Sequence, residues 1–427
     1  MSDVPPEIWL YIASFICDDD LKGLMGVNIH FYNLGMALRY GTIHIDTVNS
    51  RTDRLLRRLR DPVVASRVRR LVIQPTKSKM PVVSWDKSLD NELKNFFAKA
   101  WSSVGPQLET ISIAGRPESI RQFIGPNPQA TSCTALTLQF THELDPMAVS
   151  AAAGTLVDSV ASFVNSLAPR LQTLKIRSWS TLDLSDFFFK LGVFPQMRHF
   201  RLHTPFNTAF SNAKGLTKLL QDNASSLDIV SLLLNPAGAG TDRTCEHVLA
   251  EWLLSHASNE AVLANLKTLR LYPTALPSGF DALVTYVNRS ADTLTTLVVK
   301  DRYFTLEEVA ALISPVAHRS AEDGLQTLEI NVRTWNAELF NLLSLKLPGL
   351  KSLSLVIGGS HATNSFLDTM QPIESWKLRD IGVWQSGSEV SSSTMRLLAK
   401  GLPFVQSFWG NGHMLGEREI FEDTVFV

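Results

Sequence analysis

Apolar and polar residues alternate along most of the chain in a recurring six-residue pattern, apolar-x-x-apolar-x-apolar. Leu325-Gln326-Thr327-Leu328-Glu329-Ile330 is its clearest copy. The last two apolar positions lie two apart, so on an extended chain they point to one face and the residue between them points to the other. Ten further copies occupy Val68–Ile73, Leu108–Ile113, Cys133–Leu138, Leu171–Ile176, Met197–Leu202, Leu227–Leu232, Leu266–Leu271, Leu294–Val299, Leu350–Leu355 and Leu378–Val383. Their starts fall 25 to 40 residues apart. A fixed short motif at a loosely constant period predicts a repeat architecture, each copy supplying one strand. Tyr40-x-x-Ile43-x-Ile45 fits an introductory strand and Val405-x-x-Phe408 a final one.

Between the strands the apolar period lengthens to that of a helix. Leu93, Phe96, Phe97 and Trp101 form one such face, and Leu156, Val160, Phe163, Val164 and Leu167 another. Val248, Leu249, Trp252 and Leu253 repeat it, as do Leu339, Phe340, Leu342 and Leu343, and then Met395, Leu397 and Leu398. Thr305-Leu-Glu-Glu308 spells a capping box ahead of Val309, Leu312 and Ile313. A strand-helix unit of ~30 residues gives parallel strands with the helices on one side, so the expectation is a curved α/β solenoid, strands inside and helices outside. The longer gaps before 108, 171 and 266 leave room for loops. The tail from Asn411 carries no repeat and is placed as an end cover.

Residues 4 to 38 differ in kind. Pro5 and Pro6 can seat the first turn of a helix, and Ile8, Trp9, Ile12, Phe15 and Ile16 form an apolar stripe on it. Asp18-Asp19-Asp20 breaks that helix and can cap a second, with Leu21, Leu24 and Met25 inward. Val27 and Asn28 turn the chain into a third piece bearing Phe31, Leu34 and Leu38. So short a module cannot bury this much apolar surface by itself. It either covers the open end of the solenoid or docks another protein; burial of the early apolar residues against the Tyr40–Ile73 region separates the two.

Val4-Pro5-Pro6-Glu7-Ile8-Trp9-Leu10-Tyr11-Ile12, followed by Asp20-Leu21-Lys22-x-Leu24 and Val27-Asn28-x-x-Phe31, resembles an F-box. Val4 stands where that family commonly has leucine, and Phe31-Tyr32 where tryptophan is common. The resemblance covers about thirty-five residues. It implies a substrate adaptor of a Skp–cullin–F-box ubiquitin ligase that binds the Skp subunit through Val4, Pro5, Pro6, Ile8, Trp9, Ile12, Phe15, Leu21, Leu24, Val27 and Phe31. The repeats resemble helical, ribonuclease-inhibitor-like leucine-rich repeats. That family's asparagine, eight residues past the first leucine, stands only at Asn235; Arg116, Thr141, Trp179 and Pro205 occupy it elsewhere. The nearest overall resemblance is to the fungal F-box proteins with degenerate leucine-rich repeats.

An arginine run follows the module: Arg51, Arg54, Arg57, Arg58 and Arg60, then Arg67, Arg69 and Arg70, interleaved with Leu55, Leu56 and Leu59. This amphipathic basic helix is either a solvated face paired with local acids or a contact for an acidic partner or nucleic acid. No aromatic residues accompany it, which speaks against single-stranded nucleic acid.

Composition adds little to this. The 427 residues are 45% hydrophobic with a net charge of -1, so no whole-chain field directs the protein to nucleic acid or membrane. Cys17, Cys133 and Cys245 lie far apart, form no disulfide framework, and at the first two positions read as small core residues. The N-terminus has neither the basic start nor the apolar run of a signal peptide, and Asp158 and Asn165 interrupt the most apolar helix, 148–167. The expected location is cytoplasmic or nuclear. No nucleophile elbow, zinc-protease helix or P-loop occurs, so the chain is read as a non-enzyme without cofactor or metal.

Binding chemistry is placed on the strand face opposite the core. There the hexads' third, fifth and seventh positions present Thr110, Ser112, Ala135, Thr137 and Gln139, then Lys175, Arg177, His199, Arg201, His203, Arg270, Tyr272 and Lys300. Glu329, Asn331, Asp380 and Trp384 follow. The basic middle suits an acidic or phosphorylated segment of a protein substrate; the alternative is a solvated charged face. The expected layout is a module over 1–40, a connecting strand and basic helix over 41–67, and the solenoid with its C-terminal cap over 68–427. The alternative to a ligase adaptor is a free-standing repeat scaffold whose first helices only cap the stack.

Overall fold

The structure is a computed structural model that describes residues 4–46, 50–74, 101, 104–124, 130–141, 146–180, 182–205, 212–235, 252–257, 263–272, 279–317, 319–320, 322–358, 366–385 and 392–409. The helix expected over 91–100, Val248, Leu249, Cys245 and the tail from Asn411 lie outside them.

Thirteen strands occur among the described residues, and each begins two residues after the first apolar position of its motif. They are β1 Thr42–Ile45, β2 Arg70–Ile73, β3 Thr110–Gly115, β4 Ala135–Phe140, β5 Thr173–Ser178, β6 His199–Pro205, β7 Ile229–Asn235, β8 Thr268–Leu271, β9 Thr296–Phe304, β10 Thr327–Val332, β11 Ser352–Ile357, β12 Asp380–Gln385 and β13 Ser407–Trp409. The introductory and final strands are thus present as expected.

The chain forms two compact units, residues 1–197 and 198–427. In the first, β1 to β5 pair side by side, all parallel, in sequence order. The register aligns the second apolar position of every motif: Ile43, Leu71, Ile111, Leu136 and Leu174 are partners in turn. In the second, β6 to β13 are likewise parallel neighbours. Phe200, Val230, Leu269, Leu297, Leu328, Leu353, Ile381 and Phe408 align in the same way. All but Phe408 are buried. Each unit is therefore a stacked α/β repeat of the leucine-rich-repeat kind: a motif's apolar side chain lies beside its counterpart in the next copy, and the stack buries a continuous core.

One backbone device recurs. The carbonyl of the motif's second residue accepts from two consecutive N–H groups of the next copy. Arg69 O takes Glu109 N and Thr110 N at 2.8 and 3.1 Å, and Gln326 O takes Lys351 N and Ser352 N at 2.8 and 3.0 Å. The side chains at this position meet their counterparts in the next copy: Arg69–Glu109 at 3.4 Å in the first unit and Lys267–Asp228 at 3.1 Å in the second.

The intervening helices bury most of their expected faces, with Leu342, Met395 and Leu397 half-buried. Leu156, Val160, Phe163, Val164 and Leu167 are all buried, as are Trp252, Leu253, Leu339, Phe340 and Leu343. The capping box forms in full, Glu308 N donating to Thr305 Oγ1 at 3.3 Å and Thr305 N to Glu308 Oε2 at 2.9 Å. An irregularity interrupts the ladder between β9 and β10. β9 bulges after Val299, so that Asn331 pairs with Tyr303, and Asn331 Nδ2 fixes the bulge by donating to Lys300 O at 2.6 Å.

Candidate partner-docking surfaces

The N-terminal module consists of α1 Pro6–Ala13, α2 Asp18–Gly23, a turn of 3-10 helix at Leu24–Gly26 and α3 Ile29–Tyr40. Pro6 opens α1, where a missing N–H costs nothing. Asn28 caps α3, its Oδ1 accepting from Phe31 N at 2.9 Å. The aspartate run does not cap α2. Cys17 is the N-cap residue, and all three aspartates lie in the first turn, where they complement the helix dipole. Cys17 is accordingly exposed rather than a core residue, its Sγ donating to Asp20 Oδ2 at 3.1 Å. Cys133 is buried, and burial pushes its thiol up to about 12.

The module has its own small core of Ala13, Leu21 and Phe31, with Trp9, Ile16, Leu24 and Leu34 packed around it. Trp9 meets Phe31 edge to face at 5.4 Å. A side chain at Gly35 would collide with Met25, so α3 and the preceding turn are in close approach there. The inward residues are thus Trp9 and Ala13 of α1 with Ile16 just past its end, rotated by about one residue from the expected stripe.

That rotation leaves the other face in solvent. Phe15 is 73% exposed, Tyr11 65%, Val27 62% and Ile29 62%. Val4, Ile8, Leu10, Ile12, Tyr32 and Leu38 are exposed as well. Among the described residues, ten of the sixteen exposed large hydrophobic side chains fall between residues 4 and 38. Of the eleven residues expected to touch a Skp subunit, Val4, Pro5, Pro6, Ile8, Ile12, Phe15 and Val27 are exposed. Trp9 and Leu24 are half-buried. Leu21 and Phe31 are buried in the module's own core and so hold the surface in shape rather than form it. Leu10, Tyr11, Ile29, Tyr32 and Leu38 were not foreseen. For Leu10 and Tyr11 the signal is the unbroken run Ile8-Trp9-Leu10-Tyr11-Ile12, a helix apolar on all sides, which needs a partner on more than one.

The strand face opposite the core is the second candidate. In the first unit, Lys175 is half-buried and Arg177 buried on β5, beside Thr137 and Gln139 of β4. In the second unit, Arg201, Ser231 and Arg270 are partners in one register row across β6, β7 and β8. His199 and His203 flank Arg201 on its strand, half-buried. Tyr272, two residues beyond Arg270, has its hydroxyl pushed up to about 12, chiefly by burial and then by the Glu329 charge, against the opposing pull of Arg270 and Arg201. These groups therefore share one electrostatic neighbourhood.

The basic character is weaker than the sequence implies. Lys300 Nζ lies 2.5 Å from Glu329 Oε2, so its charge is matched. Asn331 and Trp384, expected to face solvent, are buried, Asn331 because it holds the β9 bulge. Among the described residues no group of three or more His, Cys, Asp or Glu side chains could hold a metal ion, and no helix is long and apolar enough to cross a membrane.

No protein-family description matches the chain, and no curated protein does. Solved structures do. The TLR13–ssRNA13 complex aligns over 72% of this chain at 13% identity and a TM-score of 0.35, and the chain spans 39% of the TLR13 length. The complex of Rad7 and Elc1 from yeast aligns over 76% of this chain and 93% of the matched one, at 14% identity and a TM-score of 0.36. Both likenesses are distant, and the function proposed below rests on the chain's own residues. Those residues define a leucine-rich-repeat-type protein whose N-terminal helices display an apolar surface.

Proposed function

We propose that the chain is the substrate-recognition subunit of a Skp–cullin–F-box ubiquitin ligase. In this reading the N-terminal helices dock a Skp adaptor, and the strand face opposite the core takes a protein substrate. The observation that carries the proposal is the exposed apolar band on a module that has a core of its own. A cap would bury Ile8, Ile12 and Phe15 against the repeats, whereas a large apolar patch left in solvent marks an interface. The F-box-like residues Val4 to Phe31 name the partner. Ile8 and Ile12 on α1, Phe15 just past its end and Val27 beyond α2 supply the contact, while Leu21 and Phe31 position it.

The test is co-purification of the full chain with a Skp adaptor, comparing wild type with an Ile8→Asp/Ile12→Asp/Phe15→Asp variant. Wild type is expected to retain the adaptor and the variant to lose it while keeping its circular dichroism. Retention of the adaptor by the variant, or none by wild type, sinks the reading. For the substrate face, serine replacements of Lys175 and Arg177 in one variant, and of Arg201 and Arg270 in another, are expected to weaken capture of an acidic or phosphorylated substrate. Undiminished capture by both excludes that face.

A further inference from the structure

Adaptor docking by the apolar band leaves the arginine run after the module without a role. Residues 39–70 hold nine arginines, three aspartates, no lysine and no glutamate, a net +6 in 32 residues. The other 395 residues carry -7, so the charge is a local construction. The structure folds this segment into β1, α4 Ser50–Arg58, α5 Pro62–Ala65 and the start of β2. Leu56, Leu59, Val64, Ala65 and Val68 turn inward and are buried. Every arginine of the segment except Arg67 is exposed.

The segment's three aspartates are too few to match its nine arginines. Asp61 accepts from Val63 N at 2.9 Å as the cap of α5. Arg69 has Glu109 at 3.4 Å, a mostly solvated pair of the kind that contributes little. Arg58 and Arg67 fasten the segment to α3, whose own Arg39 stacks on the ring that Arg58 reaches. Arg58 Nη1 donates to Tyr40 Oη at 2.9 Å, the Arg39 guanidinium lies 5.7 Å over the Tyr40 ring, and Arg67 Nη2 donates to Asn33 Oδ1 at 2.6 Å. The arginine surface is therefore tied to the last turns of α3. On that helix Ile29, Tyr32 and Arg39 are all exposed, and their spacing puts them on one face. Apolar surface passes into basic surface along a single helix.

We infer that the adaptor docking site has a second, charge-reading part: the subunit that seats on the apolar band carries an acidic protein surface that meets Arg39 and the arginines of 51–60. The inference rests on the adaptor reading above. Exclusive use of arginine suits carboxylates, because the planar guanidinium fork matches them in two-point hydrogen bonds where lysine offers a point charge. Nucleic acid is the poorer fit, since residues 41–70 contain no Phe, Tyr or Trp on which a base could stack. Apolar contacts would set how long the complex lasts, and the arginines how fast it forms and how it responds to salt.

The experiment measures the affinity of the full chain for a purified Skp adaptor at low and high salt, for wild type and for an Arg54→Glu/Arg57→Glu/Arg60→Glu variant. These positions leave the Arg58–Tyr40 and Arg67–Asn33 ties intact, and an unchanged unfolding midpoint checks the fold. Wild-type affinity is expected to fall about tenfold as salt screens the charges, and the variant to bind about tenfold more weakly at low salt with most of that difference gone at high salt. Equal affinities for the two proteins at low salt overturn the inference and leave the adaptor reading standing. So does capture of a random single-stranded RNA that the variant loses while its adaptor affinity is unchanged. No adaptor binding by wild type overturns both.

Discussion

Phe15 and Leu136 belong to the same compact unit and meet opposite fates: Phe15 is 73% exposed and Leu136 fully buried. The difference lies in how each region finds partners for its apolar side chains. A repeat motif has the next motif beside it in register, so Leu136 lies between Ile111 and Leu174 whatever else the chain does. The module has no such in-register neighbour, and the small core its helices share is Ala13, Leu21 and Phe31. Apolar residues at the motif positions are structural, whereas Phe15 and its exposed neighbours in the module are surface kept for something else. The largest expected effect follows directly. Leu136→Ala should lower the unfolding free energy by about 4 kcal/mol in urea titrations, through lost burial and the cavity left behind. Phe15→Ala should change it by less than about 0.5 kcal/mol, because nothing in the fold closes over that ring. Similar losses for the two would erase the distinction between the regions.

The helical side of the repeats holds a buried histidine that sharpens the contrast with acid. His256 is 2% exposed, and its Nδ1 lies 2.7 Å from Tyr286 Oη. Burial first, and the nearby Arg289 charge second, bring its pKa down to about 4. Folding thus favours the neutral ring. The stability this contributes is present above the ordinary value of 6.5 and is lost as pH falls through about 4. Between pH 6.5 and 4, wild type should lose roughly 3 kcal/mol more than His256→Gln, measured by denaturant titration at each pH. Parallel pH profiles would show that the ring protonates without strain. Below this in size stands Glu329→Gln. It leaves Lys300, whose side chain is only 15% exposed, without its matching charge, and an expected loss of about 2 kcal/mol in the same assay checks the pair.

The sequence carries the repeats plainly because two periodicities agree there. The strand period sets which residues point inward, and the repeat period brings like positions side by side; a slip in one would expose leucines in every neighbour. All thirteen strands start two residues into their motifs for this reason. The bulge after Val299 escapes that logic, since the motif ends at the residue where the register shifts. The candidate surfaces are legible only in part. Strand polarity correctly put Lys300 and Glu329 on one face but could not show that they neutralise each other across β9 and β10. Motif position puts Arg177 and Asn331 on the face opposite the core but does not show that both are buried there. On α1 every residue from Ile8 to Ile12 is apolar, so periodicity could not choose between the face that packs and the face that stays out.

The smallest effect is the one that isolates the module. Asn28 Oδ1 satisfies Phe31 N at the start of α3, the helix that carries Phe31 into the small core and Ile29, Tyr32 and Arg39 into solvent. Replacing a capping asparagine by alanine costs about 1 kcal/mol of helix stability. In the repeats such a loss would be shared along a stack in which each copy is supported by its neighbours. In a module whose core is three side chains it should stay local, because segments with few buried contacts open independently of the rest. Asn28→Ala should therefore speed hydrogen exchange of the α3 amides about fivefold, the factor that 1 kcal/mol gives, and leave those of β3 to β5 unchanged. Faster exchange in β3 to β5 as well would mean that module and repeats open together, and that the apolar band is borne by the repeat core after all.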